Sequence, residues 1–268
     1  MLAIADCSVQ NTSLGISAPV MITWEAEGMQ RKLWLFLAAS IVLEFLFSKI
    51  LENFTMSDYT YISVYKAIQL VSVLCLNLFL THVPLHWRFR IRQINPLFLI
   101  IYALLIITAT IQDASIFLSV FTAALLTAFA EEILFRGITF NFFLSIWTKN
   151  GVTYKATWKA ILASSILFSC DHLENLTYQS LSITITQMLW AFGFGCFSAA
   201  LYFRFNSLIP SVAVHFVVDY SAFPKAGASM LPSFSNFIVV VFQMAILLLF
   251  AYLIVRKSPA LKEINGKV

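Results

Sequence analysis

Long apolar runs dominate this chain, and they decide which solvent it can fold in. A helix needs about 20 mostly apolar residues to cross the hydrocarbon core of a membrane. Eight runs of roughly this kind are predicted as transmembrane helices, at about 33–51, 60–81, 96–112, 115–146, 157–174, 181–203, 208–223 and 233–255. Only 11% of the 268 residues are charged, against about 25% in a typical soluble domain, which is too little to cover a water-facing surface. The predicted fold class is all-α: a polytopic membrane protein with about eight transmembrane helices.

Lysine and arginine in the connecting loops predict the orientation, because short cytoplasmic loops carry an excess of both. With eight crossings, one side collects 13 of the 17 basic residues: Arg31, Lys32, Arg88, Arg90, Arg92, Lys149, Lys155, Lys159, Arg204, Arg256, Lys257, Lys262 and Lys267. The other side has Lys49, Lys66 and Lys225. Both termini are therefore expected in the cytoplasm. The predicted organisation is an N-terminal extension at 1–30, a transmembrane domain at 31–258 with its core at about 115–220, and a tail at 259–268.

The sequence supports neither a nucleic-acid partner nor a framework of disulfides or metal-binding cysteines. The basic segment 88–92 (RFRIR) lies directly between two predicted spans, where cytoplasmic positive charge is ordinary, so no nucleic-acid partner is predicted. The four cysteines are scattered and form no CxxC pair, which argues against a disulfide framework or a zinc cluster. No cofactor and no metal are predicted.

Ionisable residues inside the predicted spans are costly, and they are functional candidates for that reason. The fourth span contains Glu131, Glu132 and Arg136. Glu132 and Arg136 are four residues apart, so they share a helix face and can pair. Glu131 is turned by about 100° from its neighbour and need not share the arginine, which leaves its carboxylate available as a general base. A buried ion pair with one spare acid is the structural alternative.

Two further polar pairs lie on other predicted helices. Phe168 and His172 share a face near the end of the fifth span, and His215 and Asp219 share a face in the seventh. Alone, each pair is compatible with a helix cap or a buried polar contact. Each residue adds about 1.5 Å along a helix, so Glu131 and His172, counted from the cytoplasmic ends, are expected at a similar depth near mid-membrane. Asp219 is expected at a smaller depth, and His215 is shallower still.

The three motifs, in this order and on separate spans, resemble a known family. They read Glu131-Glu132-x-x-x-Arg136, Phe168-x-x-x-His172 and His215-x-x-x-Asp219. This pattern is similar to that of the CAAX protease and bacteriocin-processing family, also called the Abi or type II CAAX prenyl endopeptidase family, and the similarity extends over roughly 115–220. The resemblance implies an eight-helix fold with its catalytic core at about 115–220, in a bacterial cell membrane. It also implies an intramembrane glutamic endopeptidase that cleaves a peptide or a membrane protein, with prenylated proteins as one candidate class.

The resemblance also implies a role for each motif residue. Glu131 and His172 would activate a water molecule, and His215 with the residue at 219 would stabilise the oxyanion. Glu132 and Arg136 would hold Glu131 in position, with Phe168 in support. Asp219 departs from the asparagine form of the last motif, since a carboxylate donates a hydrogen bond only when it is protonated, and it could instead orient His215 as a charged donor.

Three alternatives remain open at the level of sequence. Glu131, His172 and His215 could be ligands of a catalytic zinc ion, although no HExxH motif is present. The protein could be a non-catalytic regulatory or immunity protein that retains the fold. It could also be a transporter in which Glu131, His172 and Asp219 relay protons. The substrate, whether a prenylated CAAX protein, a bacteriocin or a signalling peptide, is not specified by these motifs.

Overall fold

The computed structural model describes residues 26–89, 107, 116–148, 151–223, 237–258 and 261, and these residues form helices and turns with no strand. The first two helices are α1 (Ala26–Leu51) and α2 (Asp58–Leu76), and α2 continues into a short π-helical turn, Asn77–Thr81. Next come α3 (Phe117–Glu132), a π-helical segment (Ile133–Phe140) and α4 (Asn141–Trp147), which follow one another without a break. The remaining elements are α5 (Tyr154–Asp171), a 3₁₀ segment (His172–Thr177), α6 (Leu181–Phe205), α7 (Leu208–Ala222) and α8 (Phe237–Arg256).

The described residues contain five helices that are long and apolar enough to cross a membrane. They are Gln30–Leu51, Asp58–Thr81, Phe117–Trp147, Leu181–Phe205 and Phe237–Arg256, and Leu208–Ala222 is a shorter apolar helix. The all-helical, polytopic fold class is confirmed, but the count of eight spans is not. The predicted span 96–112 lies outside the described residues except for 107. The predicted fifth span forms α5, which has three charged residues in its 18 (Lys155, Lys159 and Asp171) and is not one of the five.

Hydroxyl side chains fix where several helices begin. Ser57, Thr153, Ser180 and Ser207 precede α2, α5, α6 and α7, and each side-chain oxygen accepts a hydrogen bond from a backbone N–H of the first turn. These N–H groups have no partner within the helix, so the caps satisfy them. Between α6 and α7 the chain reverses at Asn206, which has a φ of 46° in the left-handed region. The short turn sets α6 and α7 side by side.

Small residues on α6 allow its neighbours to approach closely. In the sequence, Gly193 and Gly195 with Ser198, Ala199 and Ala200 after them form a run of small residues that predicts close helix packing. A Cβ added at Gly193 would lie 3.0 Å from the Cα of Met244 on α8. A Cβ added at Gly195 would lie 3.0 Å from the Cβ of Ser165 and 3.2 Å from the Cδ1 of Phe168, both on α5. This close packing, which is typical of small residues in membrane helices, is confirmed and brings α5 into contact with the centre of the protein.

The helix that carries the glutamate pair changes its hydrogen-bonding pattern directly after Glu132. The π-helical segment Ile133–Phe140 is buried along its whole length. An α-helix was predicted through this region, so the π-helical form is a correction to the local geometry. Because π-helical turns are uncommon and occur frequently at functional sites, the change marks this part of the helix as a candidate functional region.

Candidate active site

Glu132 is the most enclosed acid of the site, and its side chain is fully buried. Its Oε2 lies 3.3 Å from Arg136 Nε and accepts a hydrogen bond of 2.6 Å from Ser198 Oγ on α6. Its Oε1 lies 2.8 Å from His215 Nδ1 on α7. The predicted pairing of Glu132 with Arg136 is confirmed. The carboxylate also ties together the three helical elements that bear these partners.

Glu131 faces a different set of partners, as its rotation around the helix predicts. Its Oε1 accepts a hydrogen bond of 2.8 Å from Lys66 Nζ on α2, and its Oε2 lies 3.5 Å from His215 Nε2. Both members of the Glu131–Lys66 pair are about nine-tenths buried, with 10% of each side chain exposed. The two adjacent glutamates therefore pair with different basic residues, Lys66 for the first and Arg136 for the second, and both also face His215.

His215 lies between the acids and contacts three of them. Its Nδ1 is hydrogen-bonded to Glu132, and its Nε2 lies 3.5 Å from both Glu131 Oε2 and Asp219 Oδ2. The spacing of four residues does bring Asp219 to the ring, but 3.5 Å is long for a hydrogen bond, and Asp219 Oδ2 has no hydrogen-bond partner among the described residues. Since ionised carboxylates only accept hydrogen bonds, both ring nitrogens face acceptors. This surrounding favours an imidazolium that can donate from Nε2.

His172 lies at the edge of this cluster, where α5 gives way to the 3₁₀ segment. Its Nδ1 donates a hydrogen bond of 2.9 Å to the carbonyl oxygen of Phe168. A carbonyl oxygen can only accept, so a neutral His172 has its proton on Nδ1 and leaves Nε2 free as an acceptor. No carboxylate of the described residues is in ion-pair contact with His172. The structure therefore brings Glu131, Glu132, His215 and Asp219 into contact, while His172 is adjacent to that group without touching Glu131.

Phe168 is the link between His172 and the glutamate cluster. Its ring centroid is 5.1 Å from that of His172 and 6.0 Å from that of His215, in edge-on arrangements. The Arg136 guanidinium carbon lies 4.2 Å above the Phe168 ring, which is a cation–π contact. Arg136 Nη1 and Nη2 are buried and have no hydrogen-bond partner among the described residues. The aromatic face is thus an important part of the surroundings of this buried cation.

The sequence did not predict the contacts that two further residues make with the glutamates. Lys66 was counted among the loop charges although it falls within the predicted span 60–81; it is a buried residue of α2, so its place in that count was wrong. Ser198 was taken as a small packing residue, and it also donates to Glu132. A lysine well inside an apolar run is the signal that could have identified Lys66, because a charge at such a position requires a partner.

The remaining histidines and Glu44 of α1 lie outside the cluster. His86 follows α2, and its Nδ1 is 3.0 Å from the hydroxyl oxygen of Tyr202; partial burial lowers the pKa of its imidazole. His82 has a left-handed φ of 54° and ends the π-helical turn after α2. Glu44 accepts a hydrogen bond of 2.5 Å from Gln69 on α2. None of the three was assigned a catalytic role from the sequence.

The donor set bears directly on the metal-dependent alternative. Among the described residues, no group of three or more His, Cys, Asp or Glu side chains is arranged to hold a metal ion. His215 Nδ1 is engaged by Glu132, and His172 Nδ1 by a backbone carbonyl. The proposed trio of Glu131, His172 and His215 thus does not form a preassembled set of ligands. Metal content after purification and resistance to strong chelators are the measurements that separate the two mechanisms.

Comparison with known proteins supports the resemblance drawn from the three motifs. Residues 112–221 match the family model described as type II CAAX prenyl endopeptidase Rce1-like. The match includes all seven motif residues and spans less than half of the chain. No curated protein and no solved structure matches. The family resemblance is confirmed over this segment, and α1, α2 and α8 lie outside it.

Proposed function

From the family match over 112–221, we propose that this protein is an intramembrane endopeptidase that hydrolyses a peptide bond with a water molecule activated by Glu131. The observation that carries the proposal is the convergence of Glu131, Glu132 and Asp219 on the single imidazole of His215. Buried charges of this kind are costly in a membrane and mark functional sites. An assembly of one base and one cationic donor is also what water attack on a carbonyl requires.

The proposed reaction begins with proton transfer from water to Glu131. The water oxygen attacks the carbonyl carbon of the scissile bond while the carboxylate accepts the proton. Glu131 Oε1 is held by Lys66, so Oε2 is the oxygen better placed to accept it. His172, whose Nε2 is free to accept, is the second residue that we assign to water activation. When the tetrahedral intermediate collapses, the C–N bond breaks and the proton passes to the leaving amine.

His215 is the proposed donor to the oxyanion. Its Nδ1–H is directed to Glu132, which fixes the ring and leaves Nε2–H pointing into the space bounded by Glu131 and Asp219. A donor fixed in this way stabilises the negative charge that develops on the carbonyl oxygen, because it needs no reorganisation during the reaction. Asp219 is proposed to contribute either as a protonated donor or as the anion that keeps His215 charged.

Glu132, Arg136 and Phe168 are proposed as supporting residues. They do not contact the water in this mechanism. Glu132 fixes His215 and is itself balanced by Arg136, which lies over Phe168. Their substitution is therefore expected to act on the geometry of the site and on stability together.

The proposed substrate is a peptide or a membrane protein that reaches the site within the bilayer. Prenylated proteins that end in a CAAX sequence are one candidate class, and leader peptides of bacteriocins or signalling peptides are another. Both termini of the enzyme are proposed to lie in the cytoplasm of a bacterial cell. A regulatory or immunity role without catalysis is the competing function, and it predicts that substitution of Glu131 leaves the peptide content of the cell unchanged.

Comparative peptidomics tests the proposal without knowledge of the substrate. Membranes from cells that produce the wild-type protein are compared with membranes from cells that produce Glu131→Gln. Glu52→Gln is the matched control, because Glu52 pairs with Lys49 at the same 2.8 Å distance on the protein surface. We expect cleavage products that are absent only from the Glu131→Gln sample. Identical peptide profiles for all three proteins would rule out the proposed activity.

A further inference from the structure

Helix α2 lies outside the segment that matches the protease family, and yet it supplies two consecutive residues to the site. The side chains of Tyr65 and Lys66 are both buried, and they contact two different elements. Lys66 contacts α3, which carries the glutamate pair. Tyr65 contacts the 3₁₀ segment that begins with His172.

The first contact is the buried ion pair of Lys66 with Glu131. Lys66 Nζ is 2.8 Å from Glu131 Oε1, and the two residues are separated by 65 positions in sequence. An ammonium group is costly to bury, and an apolar contact would join two membrane helices without that cost. The charge therefore indicates a purpose beyond packing. It holds one oxygen of Glu131 and leaves the other directed towards His215.

The second contact is a hydrogen bond of 3.2 Å that Tyr65 OH donates to Glu174 Oε2. Glu174 lies two residues after His172 in the same 3₁₀ segment. A second contact supports Tyr65 from within α2, since the ring of Tyr61 is stacked against it at 6.2 Å. The hydroxyl group thus attaches the end of α5 to α2 at the place where His172 begins the 3₁₀ segment.

We propose that Tyr65 and Lys66 are positioning residues that set the distance between Glu131 and His172. These two residues, which the proposed mechanism assigns to water activation, do not contact each other directly. Glu131 contacts Lys66 of α2 directly, and the 3₁₀ segment that carries His172 is attached to the adjacent residue Tyr65 through Glu174. The proposal rests on the proposed function for its chemistry, whereas the two contacts and their effect on the 3₁₀ segment do not depend on catalysis.

The test uses the full-length protein in lipid nanodiscs and a farnesylated peptide that ends in a CAAX sequence as the probe. The variants are Lys66→Met, Lys66→Arg and Tyr65→Phe. Lys49→Met and Tyr61→Phe are matched controls, because Lys49 forms an exposed ion pair and the Tyr61 hydroxyl contacts Ser48 on α1. The measurements are kcat and KM for the probe, and hydrogen–deuterium exchange of the peptide that covers 172–177.

Misplacement of a reacting group by about 1 Å can lower a rate by about 100-fold. We therefore expect Lys66→Met to lower kcat by about 10- to 100-fold with KM nearly unchanged. Lys66→Arg, which keeps the charge, recovers most of the loss. Tyr65→Phe, which removes only a hydroxyl group and retains the ring, lowers kcat and speeds exchange at 172–177. The two control variants match the wild type in both measurements.

Two results would overturn the proposal. One is wild-type kcat in both Lys66→Met and Tyr65→Phe. The other is unchanged exchange at 172–177 in Tyr65→Phe, which would show that α2 does not hold the His172 segment. If the wild-type protein does not cleave the probe, that result counts against the proposed CAAX substrate. The exchange measurement alone then decides whether the contact between Tyr65 of α2 and Glu174 holds the segment 172–177.

Discussion

Replacement of Glu132 by alanine is expected to destabilise the protein strongly. Glu132 is fully buried and balances Arg136, and it accepts hydrogen bonds from Ser198 and His215. Its removal leaves the Arg136 guanidinium buried with no anion in contact. Breaking a buried pair in this way costs about 3–5 kcal/mol.

Two reference variants calibrate this figure. Ser198→Ala removes one hydrogen bond to the same carboxylate, which is expected to cost about 1.5–3 kcal/mol because the acceptor is charged. Thr122→Val removes an exposed hydroxyl that bonds only to the Leu118 carbonyl of its own helix, and surface changes of this kind usually fall within about 0.5 kcal/mol. The predicted order of destabilisation is therefore Glu132→Ala, then Ser198→Ala, then Thr122→Val.

The assay is reversible unfolding in mixed micelles, with the denaturing detergent titrated against the folded protein and helix content followed by circular dichroism. Peptidase activity is measured on the same samples, and Glu132→Ala is expected to lose it as well, because His215 is no longer fixed. If Glu132→Ala is no less stable than Thr122→Val, then the contacts of Glu132 do not stabilise the fold, and its assignment as a supporting residue is wrong.

Three other substitutions test separate parts of the site. Gly195→Ala places a Cβ 3.2 Å from Phe168 Cδ1, so overpacking should lower stability by about 1–3 kcal/mol. An unfolding curve that matches the wild type would show that α5 and α6 accommodate the added methyl group at no cost in stability. Phe168→Leu removes the ring beneath Arg136, and its cation–π contribution of about 0.5–2 kcal/mol should be the part of the destabilisation that disappears when Arg136 is also replaced by methionine. Asp219→Asn should preserve activity and extend it to higher pH, because an amide donates a hydrogen bond at every pH; a large loss throughout the pH–rate profile would show that Asp219 serves as the anion beside His215.

The pairs that lie four residues apart could be predicted from the sequence. Glu132 with Arg136 and His215 with Asp219 are each brought together by one helix, and helical spacing alone specifies which side chains share a face. The same periodicity predicts that the adjacent residues Glu131 and Glu132 face different directions. The family motifs then indicated which of these pairs belong to one site.

The contacts between distant helices could not be predicted in this way. Lys66 and Glu131 are 65 residues apart, and periodicity within a helix does not state which neighbour a face will meet. Lys66 was read as a loop charge because the positive-inside pattern counts basic residues near span ends. The π-helical form of Ile133–Phe140 was missed for another reason, since an apolar pattern does not distinguish it from an α-helix.

Cleavage by the purified protein tests the central claim most directly. Wild-type protein, Glu131→Gln and Glu52→Gln are reconstituted in nanodiscs, given a peptide identified by the comparison of membranes, and followed by mass spectrometry of the products. General-base catalysis typically contributes about 10²- to 10⁴-fold, so Glu131→Gln should cleave at least about 100-fold more slowly while Glu52→Gln matches the wild type. Equal rates for Glu131→Gln and the wild-type protein would contradict the account, because the water would then be activated by another group.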